Sequence, residues 1–132
     1  MTSQKIRSFM LSSQKEIVDK IIKWAASKKA ENIKYFDVRE FSDYTDIIII
    51  CHGTAELHNK AIAEEILYKA KAEGIQLLAS EGLANGTWIL LDFVDIIVHI
   101  FNEETRNFYK LEELWNISSK TIKDNRINND QN

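Results

Sequence analysis

A chain of 132 residues, 45% apolar and 28% charged, is long enough to bury one ordinary core and too apolar to be disordered throughout. Its formal net charge of -3 excludes a broad basic field for gripping phosphate backbones, although a local patch stays open. The single cysteine, Cys51, excludes an internal disulfide framework and fits a reducing compartment.

No apolar run reaches the roughly 20 residues that a membrane helix needs. The opening "MTSQKIRSFMLSSQK" carries Lys5, Arg7 and several serines but no acid before Glu16. A short mitochondrial transit peptide has that composition. Without repeated arginines or a cleavage signal, residues 1–13 read instead as a cytoplasmic N-terminal arm. Ser13 and Glu16 then have capping-box spacing, and Ile17, Ile21, Trp24 and Ala25 recur at helical period, which predicts a helix over 14–28.

Residues 33–39, "IKYFDVR", and 45–51, "TDIIIIC", read as strands. Four consecutive isoleucines suit a central strand buried on both faces. Next, Thr54 is the expected N-cap of a helix with the stripe Ala61, Ile62, Ile66 and Ala70, ended by Gly74. "IQLLAS" at 75–80 is a third strand, so strand, helix and strand suggest a right-handed crossover. The segment "EGLANGTWILLDFVDIIVHIF", 81–101, supplies two more strands as a hairpin. Helical pieces are expected over 102–116 and a frayed polar tail over 117–132. The expected architecture is one α/β domain over 14–116, a mixed five-stranded sheet with flanking helices.

Pairing "WILLD" with "DIIVHIF" around a two-residue turn, Phe93-Val94, sets Asp92 opposite Asp95, Leu90 opposite Ile97 and Trp88 opposite His99. Alternation then places Ile89, Leu91, Ile96, Val98 and Ile100 on one aliphatic face, the core. The other face carries Trp88, Leu90, Asp92, Asp95, Ile97, His99 and Phe101. Two readings of its acids stay open: an exposed tip screened by water, or the rim of a protein-binding surface with an aromatic anchor. A metal site is not expected, because Asp92 and His99 lie about five residue pitches apart along such a hairpin.

Elsewhere, Cys51 and His52 invite a nucleophile and base, but neighbours on a strand point to opposite faces. Gly53-Thr54 between strand and helix suits a phosphate cradle or, more simply, a tight turn. His58 is expected to face solvent or bond locally, and Asp37, Arg39 and Asp46 to form an ion-pair cluster.

The blocks "DVREFSDYTD" (37–46), "GTAELHNKAIAE" (53–64), "EGLANGTWILLDFVDIIVHIF" (81–101) and "RNFYKLEELW" (106–115) resemble the ribosomal silencing factors, or Iojap-like proteins. The resemblance spans about residues 14–116. It implies an α/β domain of nucleotidyltransferase-like topology without enzymatic activity, metal or cofactor. It further implies binding to the large ribosomal subunit through its ribosomal protein fourteen, a block on joining of the small subunit, and repression of translation when nutrients are scarce. Self-association is also implied. Trp88, Asp92 and Phe93 fall on the family's partner-contact segment, with Asp95 and His99 in the same motif and Phe93 expected at the hairpin tip, free to enter a pocket on the partner; Leu90, on the face that alternation picks out, completes the expected contact set. Three positions depart from the pattern. Val94 stands where the family usually has glycine, which implies a wider or bulged tip, and Ala55 and Asn59 replace commoner choices.

Three functions follow for comparison. A non-catalytic anti-association factor needs an apolar anchor and acids that meet a basic protein. A small nucleotidyltransferase needs carboxylates converging on magnesium, yet the strand after the Gly-Thr turn and helix, "IQLLASEG", has no aspartate. An RNA-binding module needs a basic patch, and the lysines here are scattered, so no direct sequence-specific nucleic-acid binding is expected. The residues favour the first, a non-catalytic anti-association factor.

Overall fold

The computed structural model describes residues 3–40, 42–43 and 45–104, with side chains from Gln14 onward. Its elements are α1 (Ser3–Ser27), β1 (Glu31–Asp37), β2 (Ile47–Gly53), α2 (Glu56–Ala72), β3 (Ala79–Glu81), β4 (Trp88–Asp92) and β5 (Ile96–Asn102). From residue 105 the helical pieces expected over 102–116, and the whole tail expected over 117–132, lie outside the described residues.

Helix α1 starts at Ser3, so Ser13 lies inside it rather than capping it, and the arm expected over 1–13 is helical from residue 3. No glycine or proline occurs between Ser3 and Ser27, so nothing local stops the helix at residue 13. It ends where Lys29 adopts φ 65° and the Ala30 N–H turns back to the Ala25 carbonyl at 3.1 Å. Strands β1 and β2 are offset by two residues from the expected 33–39 and 45–51.

All seven residues of β2 are buried, as four isoleucines in sequence demand. The sheet order is β1-β2-β5-β4-β3. Only β2 with β5 is parallel; β1 with β2, β5 with β4, and β4 with β3 are antiparallel. A parallel pair cannot be closed by a tight turn, and α2 forms part of the long connection between them. Both described helices cover one face, where Val18, Ile21, Trp24 and Ala25 of α1 and Ile62, Ala63, Ile66 and Ala70 of α2 meet Ile49, Cys51, Ile89, Leu91, Ile96, Val98 and Ile100. The expected aliphatic face of the hairpin is therefore core. The second face buries Phe36, Val38, Ile48, Ile50 and Phe101, with Trp88 packed against them.

Helix α2 begins after Ala55, which makes no side-chain capping bond, so Thr54 is not the N-cap. Thr54 is instead held by His58. Gly74, at φ +75°, ends the helix as expected. The third strand is shorter than 75–80 because the Ile75 N–H still bonds the Ala70 carbonyl at 2.9 Å, and pairing with β4 begins only at Ala79.

The entry to α2 is locked by Asn59, which is fully buried. Its side-chain oxygen accepts the Gly53 N–H at 2.9 Å, and its amide nitrogen donates to the Gly86 carbonyl at 2.7 Å. Gly53 must be glycine for this approach, since a Cβ there would stand 2.5 Å from Asn59 Oδ1. One side chain thus ties the end of β2 to the loop before β4. Replacing Asn59 by Ala orphans two buried backbone groups, so urea unfolding is expected to show a loss of about 2–4 kcal/mol. Asn59→Asp, which keeps an acceptor but loses the donor, falls between.

The hairpin register differs from the expected one by two positions: Trp88 pairs with Phe101, Leu90 with His99 and Asp92 with Ile97. An even shift leaves every side chain on its expected face. The wider tip has a clear cause. Phe93 N–H reaches the Ile96 carbonyl at 2.8 Å, Val94 N–H reaches Asp92 Oδ1 at 2.8 Å, and Asp95 N–H returns to the Phe93 carbonyl at 3.0 Å. Val94 itself sits at φ 78°, a strained conformation for a β-branched residue, while 47% exposed. Val94→Gly is therefore expected to raise stability by about 1 kcal/mol in the same unfolding assay, and an unchanged or lower value would mean that Val94 packing outweighs its strain.

Candidate partner-binding surface

Strands β4 and β5 bring Trp88, Leu90, Asp92, Ile97 and His99 to the sheet face opposite the helices, all partly accessible. The Trp88 indole N–H donates to His99 Nδ1 at 3.1 Å, a diagonal contact made possible by the observed register. The rings form a cluster: Trp88 meets Phe101 edge-on at 5.7 Å and His99 at 6.1 Å, and His99 stacks with Phe101 at 6.3 Å. Because Nδ1 accepts, the imidazole is neutral and carries its hydrogen on Nε2. Burial lowers the His99 pKa to about 4. His99 therefore acts as a fixed acceptor that orients the tryptophan.

Of the other expected contact residues, Asp95 is exposed and Asp92 is partly so. They are not opposed: Asp92 accepts the Val94 N–H and pairs with Ile97. The Asp95 carbonyl accepts both the Asp46 and Ile47 N–H groups at 3.0 Å, pinning the tip to the chain leading into β2. Phe93 corrects the expectation. Rather than projecting from the tip, it is 6% exposed and belongs to the helix-side core. The wider turn carries the backbone past it and leaves Val94 outermost. Phe93→Ala is thus a core truncation.

The remaining candidates resolve into structure. Cys51 lies in the helix-side core, while His52 approaches Glu31 at 3.3 Å from the other side of the strand, so the two do not meet. The N–H groups of Gly53 and Thr54 are already taken by Asn59 Oδ1 and by His58 Nδ1 at 2.8 Å, which leaves them nothing to offer a phosphate. His58 bonds locally and bridges to the Lys28 carbonyl at 2.7 Å. Arg39 pairs with Asp37, whereas Asp46 instead accepts from Gln14 at 2.6 Å. A polar cleft of about 480 Å³ lies among Thr54, Ala55, Glu56, Asn102, Glu103 and Glu104, and its three carboxylates repel anions. Among the described residues no group of three or more His, Cys, Asp or Glu could hold a metal ion. No described helix is long and apolar enough to cross a membrane.

Sequence reasoning missed the Trp88–His99 bond, because a diagonal contact needs the register. It also missed a recess of about 490 Å³ between the end of α2, the chain at 74–77 and Phe93. Its signal was the pair Leu77 and Leu78, respectively 36% and 64% exposed in a segment read as an ordinary strand.

The His99 environment has a measurable consequence. Its folded pKa, about 4, lies below the ordinary 6.5, so the unfolded chain takes up the proton first as pH falls. The contribution is complete above pH 6.5 and is lost between 6.5 and 4, up to about 3 kcal/mol. Urea unfolding across that window is expected to show this slope, and His99→Gln, which keeps an acceptor for the indole, is expected to flatten it.

Residues 11–132 match the family model described as "Ribosomal silencing factor during starvation". The chain is 34% identical over 103 residues to ribosomal silencing factor RsfS of Halalkalibacterium halodurans, covering 78% of this chain and 88% of that protein. It is 39% identical over 99 residues to RsfS of Bacillus subtilis, covering 72% and 84%. A crystal structure of a protein from Chromobacterium violaceum superposes with a TM-score of 0.75 at 28% identity, covering 77% of this chain and 85% of that one. The chain belongs to the ribosomal silencing factor family.

Proposed function

We propose that this chain is a non-catalytic, cytoplasmic factor that binds the large ribosomal subunit through its ribosomal protein fourteen. It thereby bars the small subunit by steric exclusion and represses translation under nutrient limitation. The proposed contact set is Trp88, Leu90, Asp92 and Asp95, with Phe93 supporting the tip from beneath and His99 orienting Trp88. No cofactor or membrane takes part, and self-association off the ribosome belongs to the same proposal.

The observation that carries this reading is the partly exposed Trp88, fixed by His99 and flanked by Leu90 and Asp92 on one sheet face. A preoriented aromatic loses little conformational freedom on binding, which makes it an effective anchor. Exposed Asp95 and partly exposed Asp92 complement a basic partner and make encounter salt-sensitive. A nucleotidyltransferase-like enzyme has less support. Its phosphate-facing turn is saturated by Asn59 and His58, and the adjacent cleft is acidic.

Purified large and small subunits mixed with increasing protein, then separated on sucrose gradients, test the proposal. Loss of the joined ribosome with the protein on the large subunit alone is expected, and Trp88→Ala is expected to weaken that binding by about tenfold or more. Unchanged joining without co-sedimentation contradicts it.

A further inference from the structure

We infer that residues 105–116 of this chain lie across the sheet face opposite the helices, covering β1 and β2 and ending along β5, beside the strip of Trp88 and Leu90. On that face Phe36, Ile48, Ile50 and Phe101 are each 2% exposed or less. Side chains stand roughly perpendicular to a sheet, so neighbours bury one another's flanks and leave the tips open. Exposure this low requires atoms stacked above the tips. The described helices do not supply them, because Val18, Ile21, Trp24 and Ala25 of α1 and Ile62, Ala63, Ile66 and Ala70 of α2 pack on the other face. Among the described residues, the apolar cluster on this face draws only on β1, β2 and β5 themselves, with Val38 and Trp88. The burial is that of a single chain, so neither a second copy nor a ribosomal protein produces it.

Position, length and composition select the occupant. The chain leaves β5 at Asn102 and is already helical at Glu103 and Glu104. With α1 and α2 on one face, a segment returning from that point has the second face before it. The seven residues of β5 span about 23 Å, and residues 105–116 wound as a helix span about 18 Å. A helix is about 10 Å wide, or roughly two interstrand spacings, so it closes two strands and reaches the third. The burial follows that footprint. Phe36 of β1 and Ile48 and Ile50 of β2 are closed, whereas Ile97 and His99 of β5 and Trp88, Leu90 and Asp92 of β4 stay partly accessible. Phe101 is closed at the end of β5 from which the segment departs. Phe108, Leu111 and Trp115 recur at i, i+3 and i+7 as one apolar stripe, with Tyr109 and Leu114 beside it. Residues 117–132 offer only Ile117, Ile122 and Ile127 as large apolar groups. The other positions outside the described residues, 1–2, 41 and 44, are too few to close four large side chains. Helix α1 is continuous, so its first turns stay in line with those packed on the other face.

A photo-crosslinker in the intact chain tests this. Benzoylphenylalanine replaces Leu111 in one variant and Trp115 in another, and the products are mapped by peptide mass spectrometry. Intramolecular links to β1, β2 or the Phe101 end of β5 are expected. Links to α1 or α2, links between two chains, or no links overturn the inference. Links confined to Trp88 or Leu90 overturn it as well, because the segment then occupies the proposed contact strip. Thiol labelling gives an independent reading. In a Cys51→Ala chain, Ile48→Cys is expected to react with a soluble maleimide at least about tenfold faster once Leu111→Asp and Trp115→Asp are added. An unchanged rate overturns the inference. Neither readout involves ribosomes, so the cover and the proposed function stand or fall separately.

Discussion

The parallel pairing of β2 with β5 is the constraint on which the rest of the structure depends. Two parallel neighbours cannot be joined locally, so the chain must leave β2, cross through α2 and return by way of β3 and β4. That route sets the sheet face that α2 occupies, and α1 packs on the same face. It also makes β5 the shared partner of β2 and β4, with Ile96, Val98 and Ile100 beneath the helices and Ile97 and His99 on the other side. Asn59 secures the departure point by joining Gly53 to Gly86, so one buried amide couples the crossover to the hairpin that follows.

The hairpin then combines rigidity with strain. Its strands are fixed by core aliphatics below and by the Trp88, His99 and Phe101 rings above. Its tip is held by backbone bonds to Asp95 from Asp46 and Ile47. Val94 alone takes an unfavourable left-handed conformation there, with its side chain in water. With both strands and the tip anchored in this way, little of the hairpin is left to be ordered when a partner docks on it.

Much of this was legible from residue patterns. The isoleucines of β2 announced a strand buried on both faces, and period-two alternation in "WILLD" and "DIIVHIF" separated the helix-side core from the opposite, partly accessible face despite the wrong register. Alternation survives an even slip, which is why the faces held while the pairs did not. The start of α1 was misplaced because Ser13 offered a capping pattern that the longer helix does not use. Phe93 was misplaced for a different reason. Its direction depends on the turn, and the turn depends on Val94 accepting positive φ and on the Asp92 carboxylate capturing its N–H. No local propensity specifies that combination.

On the proposed reading the β4–β5 hairpin face, and not the helical side, meets the ribosome. A photo-crosslinking residue placed at Leu90 or Val94, with matched controls at Leu57 and Tyr68 on the exposed surface of α2, tests it most directly. Crosslinks to ribosomal protein fourteen from the hairpin positions alone are predicted. Crosslinks from Leu57 or Tyr68, with none from the hairpin, would contradict the account.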